Sequence, residues 1–143
     1  MTGTQLSDEE RNAVTDVLVR YTTGIDTRDW VLLRSCFTDD CDADYGDIGH
    51  WHGGDEITAW MARTHDPLGP SMHRLSNIAL SREEGEIRTR TYVHAMIVLP
   101  DRSGVHAYGF YDDKFVLVSD GPRIGRRRYT HVTTELHEPM AAF

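Results

Sequence analysis

A chain of 143 residues with 39% hydrophobic and 27% charged side chains has the make-up of one globular domain, long enough for a core and too short for two ordinary ones. Its formal net charge of −8 argues against a nucleic-acid partner, because neutralising phosphates is the main source of such affinity. No apolar run approaches the ~20 residues of a membrane span.

Residues 1–143 are therefore read as a single domain. MTGTQLSDEE lacks the basic and apolar regions of a signal peptide, which points to the cytoplasm. Cys36 and Cys41 stand close together with no second pair to complete a zinc site, so reduced thiols, one or both buried, are expected.

Ser7-Asp8-Glu9-Glu10 has the S-x-x-E form of a capping box and opens a helix whose apolar stripe is Ala13, Val14, Val17, Leu18 and Tyr21. Gly24 predicts the end of that helix between residues 24 and 26, with Asp26 aimed out of its last turn. A short second helix follows, capped by Asp29 or Thr27, with Trp30, Leu33 and Phe37 on one face. In CDADYG the alternation predicts a half-buried strand with Tyr45 inward. Gly46 to Gly54 forms a loop or hairpin carrying His50, Trp51 and His52. Asp55 then caps a third helix that Pro67 and Pro70 end.

From His73 onward the period changes to two. HRLSNIAL, EIRTRTYVHAMIVL, VHAYGFYDDKFVLV and PRIGRRRYTHVTTEL read as four long strands separated by the turn sequences EEG, PDRSG and SDG. Three helices followed by a mostly antiparallel sheet make an α+β domain. A curved sheet with helices on its concave side leaves a pocket between the layers. Thr89, Thr91, Val93, Ala95 and Ile97 alternate on one side of a strand; read as the outer face, they predict a homo-oligomer, dimer or trimer, built on the sheet.

Asp26 and His73 are the first candidates for chemistry. An imidazole takes a proton near neutral pH, and a carboxylate on its other nitrogen fixes the tautomer and stabilises the imidazolium. If they act together, their polar atoms lie within about 3.5 Å. A lone strand histidine is by itself more often structural. Tyr21, Tyr45, Tyr92, His94, Tyr108 and Tyr111 supply polar tips on apolar elements; such groups can polarise a carbonyl or simply sit in a core. In Arg126-Arg127-Arg128 alternate members face opposite ways, so one inward arginine beside the pocket is expected. No metal is expected. Asp40-x-Asp42-x-Asp44 lacks the glycine and closing glutamate of a calcium loop, and His50-x-His52 has no third ligand at the usual spacing. No phosphate loop or dinucleotide fingerprint is present, so no cofactor is implied.

DTRDWVLLRSCFTDDCDADYG, HRLSN, GFYDD and DGPRIGRRR together resemble the SnoaL-like branch of the nuclear transport factor 2-like superfamily, over about residues 6–135. The resemblance implies a cone-shaped curved mixed sheet with three N-terminal helices enclosing a pocket. Scytalone dehydratase and lindane dehydrochlorinase in that group use an aspartate–histidine dyad, which falls on Asp26 and His73. A catalytic tyrosine matches Tyr45, a second histidine His94, an asparagine Asn77 and a terminal arginine Arg128. Tyr21 replaces the dehydrochlorinase's helix-one lysine, and Pro122 replaces a wall aromatic.

The resemblance thus implies a cofactor-independent lyase or isomerase, dehydratase-like, acting on a small, apolar, cyclic substrate. Asp26, His73 and Tyr45 would be catalytic; Tyr21, Trp30, Asn77, His94, Tyr111 and Arg128 would bind substrate. The alternative is a non-catalytic small-molecule-binding or dioxygenase-small-subunit-like domain. Epoxide hydrolysis of the limonene type needs two carboxylates flanking an arginine, and no convincing set is found.

Overall fold

The computed structural model describes residues 5–139; residues 1–4 and 140–143, included in the single-domain reading, lie outside the described residues. Helix α1 spans Asp8–Thr27 and begins with both arms of the capping box, Ser7 accepting from the Glu10 amide and Glu10 accepting from that of Ser7. Val14, Val17, Leu18, Tyr21 and Ile25 are buried along one face, as the three- and four-residue spacing requires.

The helix does not stop at Gly24. It runs to Thr27 and is closed by Arg28 in the left-handed region at φ 58°. Gly24 is there for packing: a Cβ at this position would stand 2.9 Å from the Leu33 backbone nitrogen. That close crossing brings in α2, Trp30–Arg34, whose cap is Asp29, accepting from the Leu32 amide at 3.0 Å. Asp26 accordingly sits within the last turn of α1 rather than beyond it.

Strand β1 covers Phe37–Asp44. Phe37 therefore belongs to the sheet and not to the face of α2. β2, His50–His52, folds back on β1 as an antiparallel partner. Helix α3, Gly54–His65, has Gly53 at its cap, not Asp55. Gly53 has φ 96° and its amide donates to the Cys41 carbonyl at 2.6 Å, a conformation that favours glycine. Asp55 lies in the first turn and pairs with Arg34 at 2.7 Å.

The four long strands are β3 Ser71–Glu83, β4 Glu86–Val98, β5 Gly104–Val118 and β6 Gly121–His137. The sheet order is β2-β1-β6-β5-β4-β3, antiparallel throughout except for the parallel β1–β6 pair. This is a mixed, six-stranded sheet with its helices packed against one face, an α+β architecture. α1 touches α2, β3 and β6, while α3 packs on β1.

Cys36 and Cys41 are buried free thiols, and burial pushes both up to about 11. No helix among the described residues is long and apolar enough to cross a membrane.

The parity of β4 is opposite to the expected one. Thr89, Thr91 and Val93 are buried, and Val93 and Ala95 line the cavity beneath the helices. The residues read as an outer apolar face are thus the inner face, and the argument for an oligomer built on them falls. The outer face carries Arg90, Tyr92 and His94 instead, with Tyr92 packed on Phe110 and Arg90 over the same ring.

Candidate active site

A cavity of about 670 Å³ opens between the helices and the inner sheet face. Ile25, Met61, Val93, Ala95 and Ala107 make its apolar wall, and Tyr21, Tyr45, Tyr111, Tyr129, His65 and His73 bring the polar groups. Its size is that of a small-molecule site.

At its base the end of α1 meets the start of β3. His73 Nδ1 lies 2.7 Å from Asp26 Oδ1, and the His73 amide donates to Asp26 Oδ2 at 2.7 Å. Ser71 Oγ donates to Asp26 Oδ1 at 2.8 Å. Arg28, the residue whose left-handed backbone ends α1, turns its guanidinium back to donate to Ser71 Oγ at 2.8 Å and to the Ile25 and Gly69 carbonyls at 2.7 Å each. One helix end and one strand start are thus tied together through a single carboxylate.

Burial by itself raises the Asp26 pKa; the hydrogen bonds from the His73 side chain and backbone and from Ser71 outweigh it and hold the carboxyl below its usual value. With Nδ1–H donated to that carboxylate, the neutral His73 ring keeps its lone pair on Nε2. The His73 side chain is 5% exposed, and its ring is part of the cavity wall.

His65, at the end of α3, was not singled out in the sequence. Its ring centroid is 6.1 Å from that of His73. Its Nδ1 lies 2.9 Å from the Met61 carbonyl, which can only accept, so Nδ1 carries the proton. Burial lowers the His65 pKa and favours the neutral ring. Helical spacing from Met61 was the one available signal for it.

Elsewhere in the cavity wall, Tyr21 Oη is 3.2 Å from Tyr45 Oη and 3.5 Å from Tyr111 Oη. Burial raises the pKa of all three, so each is a neutral donor at physiological pH. Beneath them Arg127, not Arg128, is the inward arginine. It makes two bonds to Asp113, at 2.8 and 2.9 Å, and its guanidinium lies 3.8 Å from the Tyr111 ring centroid and 4.3 Å from that of Tyr21. Trp51 and Trp60, with centroids 4.2 Å apart, back Tyr45 from the side.

Of the expected binding residues, Tyr21 and Tyr111 line the cavity and Arg128 reaches its rim as an exposed residue. The other three do not line it. Trp30 donates to Asp66 at 3.0 Å and packs, half-buried, against the core, its ring centroid 6.3 Å from that of His65. Asn77 is exposed, with φ 51° in the irregular stretch of β3, where its short side chain tolerates the left-handed backbone. His94 points to the outer sheet face, stacked on Tyr108 and 2.8 Å from His106 Nδ1. A shift of one residue along a strand exchanges faces, which is why His94 was misplaced and why Arg127, next to the Arg128 that the resemblance named, is the arginine that turns fully inward.

Fold and cavity together describe an α+β pocket domain with an aspartate–histidine pair at the base of an apolar chamber. The SnoaL-like domain pattern matches residues 7–128, and the chain belongs to that family, within the nuclear transport factor 2-like superfamily. It is 31% identical over 122 residues to the uncharacterized protein Rv2910c of Mycobacterium tuberculosis, covering 82% of each chain.

Among solved structures it resembles a proposed scytalone dehydratase from Novosphingobium aromaticivorans, with 23% identity, TM-score 0.83 and coverage of 94% and 91% of the two chains. It also resembles a hexachlorocyclohexane dehydrochlorinase of LinA type 2, with 16% identity, TM-score 0.84 and coverage of 95% and 98%. At these identities the structural likeness speaks for the fold.

Proposed function

We propose that the protein is a cofactor-independent lyase or isomerase in which His73 removes a carbon-bound proton from a small, largely apolar, cyclic substrate. The observation that carries this reading is the 2.7 Å contact between His73 Nδ1 and Asp26 Oδ1 at the base of an apolar cavity. Asp26 holds the ring in the tautomer with Nε2 unprotonated and stabilises the imidazolium once the proton has moved. The tyrosine group, Tyr45 with Tyr21 and Tyr111, offers neutral hydroxyl donors to an oxygen or leaving group on which negative charge develops. Elimination of water or shift of a double bond both use this base and this donor set. The dehydratase and dehydrochlorinase among the structural neighbours bear names of elimination chemistry, in keeping with the same reading.

A second reading has its own support. The hydrogen bonds that Asp26 accepts from Ser71 and His73 join α1 to β3, which a purely ligand-binding domain would also use as a structural knot. Proton exchange in deuterated water separates the two, with a panel of cyclic ketones as substrates. Deuterium incorporation by the wild type that disappears in a folded His73→Ala supports the enzyme. Ligand binding without exchange, together with a large drop in melting temperature on breaking the pair, supports the binding domain.

A further inference from the structure

The hairpin β1–β2 carries a second histidine–aspartate group, on the outer sheet face and away from the cavity. His50 and His52 are two apart on β2 and so project to the same side, while Trp51 between them turns inward to Tyr45 and Trp60. Asp42 is the cross-strand neighbour of His52 and points the same way. Its Oδ1 lies 2.6 Å from His50 Nε2 and 3.1 Å from His52 Nδ1. One ligand atom from each of the three residues lies within 4.8 Å of the others. Spacing along the chain showed only the two histidines, because the third member comes from across the hairpin.

We propose that Asp42, His50 and His52 form a binding site for a divalent cation of the zinc class. Three donors, two imidazole nitrogens and one carboxylate oxygen, converge on one point. Zinc bonds to such donors are about 2.0–2.2 Å long and prefer tetrahedral angles, which places ligand atoms a little over 3 Å apart. The 3.1 Å contact already has that spacing, and the 2.6 Å contact needs to open by well under an ångström.

Ordering costs are small because both rings already face the carboxylate. The side chains are 40% exposed at Asp42, 45% at His50 and 73% at His52, so water completes the coordination shell. Imidazole donors select zinc, nickel, cobalt or copper over magnesium and calcium, which favour all-oxygen shells. The cation would act as a clip on the three-residue strand β2, and through Trp51 on the wall that backs Tyr45. The site stands on its own geometry and does not rest on the activity proposed for the cavity.

The test is calorimetric titration of the full chain with Zn²⁺ after chelator treatment, at neutral pH. The expected result is one equivalent bound per chain, with a melting temperature that rises with Zn²⁺ concentration, since a ligand of the native state stabilises it by mass action. His50→Ala/His52→Ala should weaken binding by more than about 100-fold, beyond what loss of a supporting contact does. Asp42→Asn, which keeps both rings, should weaken it by at least about tenfold and serves as the check if the double variant folds poorly. His94→Ala/His106→Ala, on the same face but outside the group, should bind as the wild type does.

Cobalt in place of zinc should give the intense visible bands of a four-coordinate ion. Failure of the wild type to bind, equal affinity in Asp42→Asn and the wild type, or equal competition by Ca²⁺ would each overturn the proposal.

Discussion

Two aspartate–histidine contacts of nearly equal length occur in this protein, and their surroundings set them apart. Asp26 and His73 meet at 2.7 Å with side chains 23% and 5% exposed; Asp42 and His50 meet at 2.6 Å with 40% and 45% exposed. The first pair joins elements 47 residues apart and is further fixed by Ser71 and Arg28. The second spans a hairpin and has water on one side. Distance alone would rank them together. Deeper burial and additional partners give the first pair a setting in which charges act more strongly than in water, as the proposed proton transfer requires, while the more exposed second pair matches the proposed hydrated cation.

The widest separation between the two pairs is expected in turnover. His73→Ala should abolish exchange on any substrate found for the cavity, and Asp26→Asn should lower the rate by about 10²–10⁴ with a much smaller change in substrate binding. His50→Ala should leave the rate unchanged. Rates and KM values for the three variants measure the contrast directly, and a large loss in His50→Ala would erase it.

A buried pair of another kind sets the scale for stability. Arg127 and Asp113 have side chains with no exposure, and Arg127 carries the tyrosine wall. Removing the partner strands a buried charge, so Asp113→Ala should destabilise by about 3–5 kcal/mol, read from urea denaturation midpoints. A loss below 1 kcal/mol would show that water reaches Arg127.

Acid should distinguish the cavity groups next. The Asp26 pKa in the folded chain lies below the reference value of 3.8. Its contribution is therefore complete above about pH 4 and is lost as pH falls through the lower folded value. His65 is depressed from 6.5 by burial. Its neutral ring favours the folded state fully above that pH, and the contribution is lost as pH falls from 6.5 through the folded value. Melting temperatures across this range should show a first decline that His65→Gln removes and a second, more acidic one that Asp26→Asn flattens.

The smallest effect belongs to the outer pair without metal. Asp42→Asn should change stability by less than about 1 kcal/mol, the usual range for exposed ion pairs, when melted in excess chelator. A larger loss would mean that the hairpin depends on the pair itself.

Asp26 and His73 came forward as a pair through the family resemblance, whereas the sequence by itself determined the order of the helices and long strands, the capping box at Ser7 and the turns of the long strands. These rest on local causes: cap chemistry, 3.6- and two-residue periods, and turn residues that act within a few positions. The tertiary structure alone decided which side of the sheet each residue faces. β4 carries apolar or aromatic side chains on both faces, Val93 and Ala95 on one and Tyr92 and Met96 on the other, so alternation did not reveal which face is inner, and one residue of parity moved His94 out. It also decided the parallel pairing of β1 with β6, the turn of Arg28 back onto Ser71, and the arrival of Asp42 beside two histidines. Each of these joins residues that meet only after the chain has packed, and a contact of that kind has no period to read.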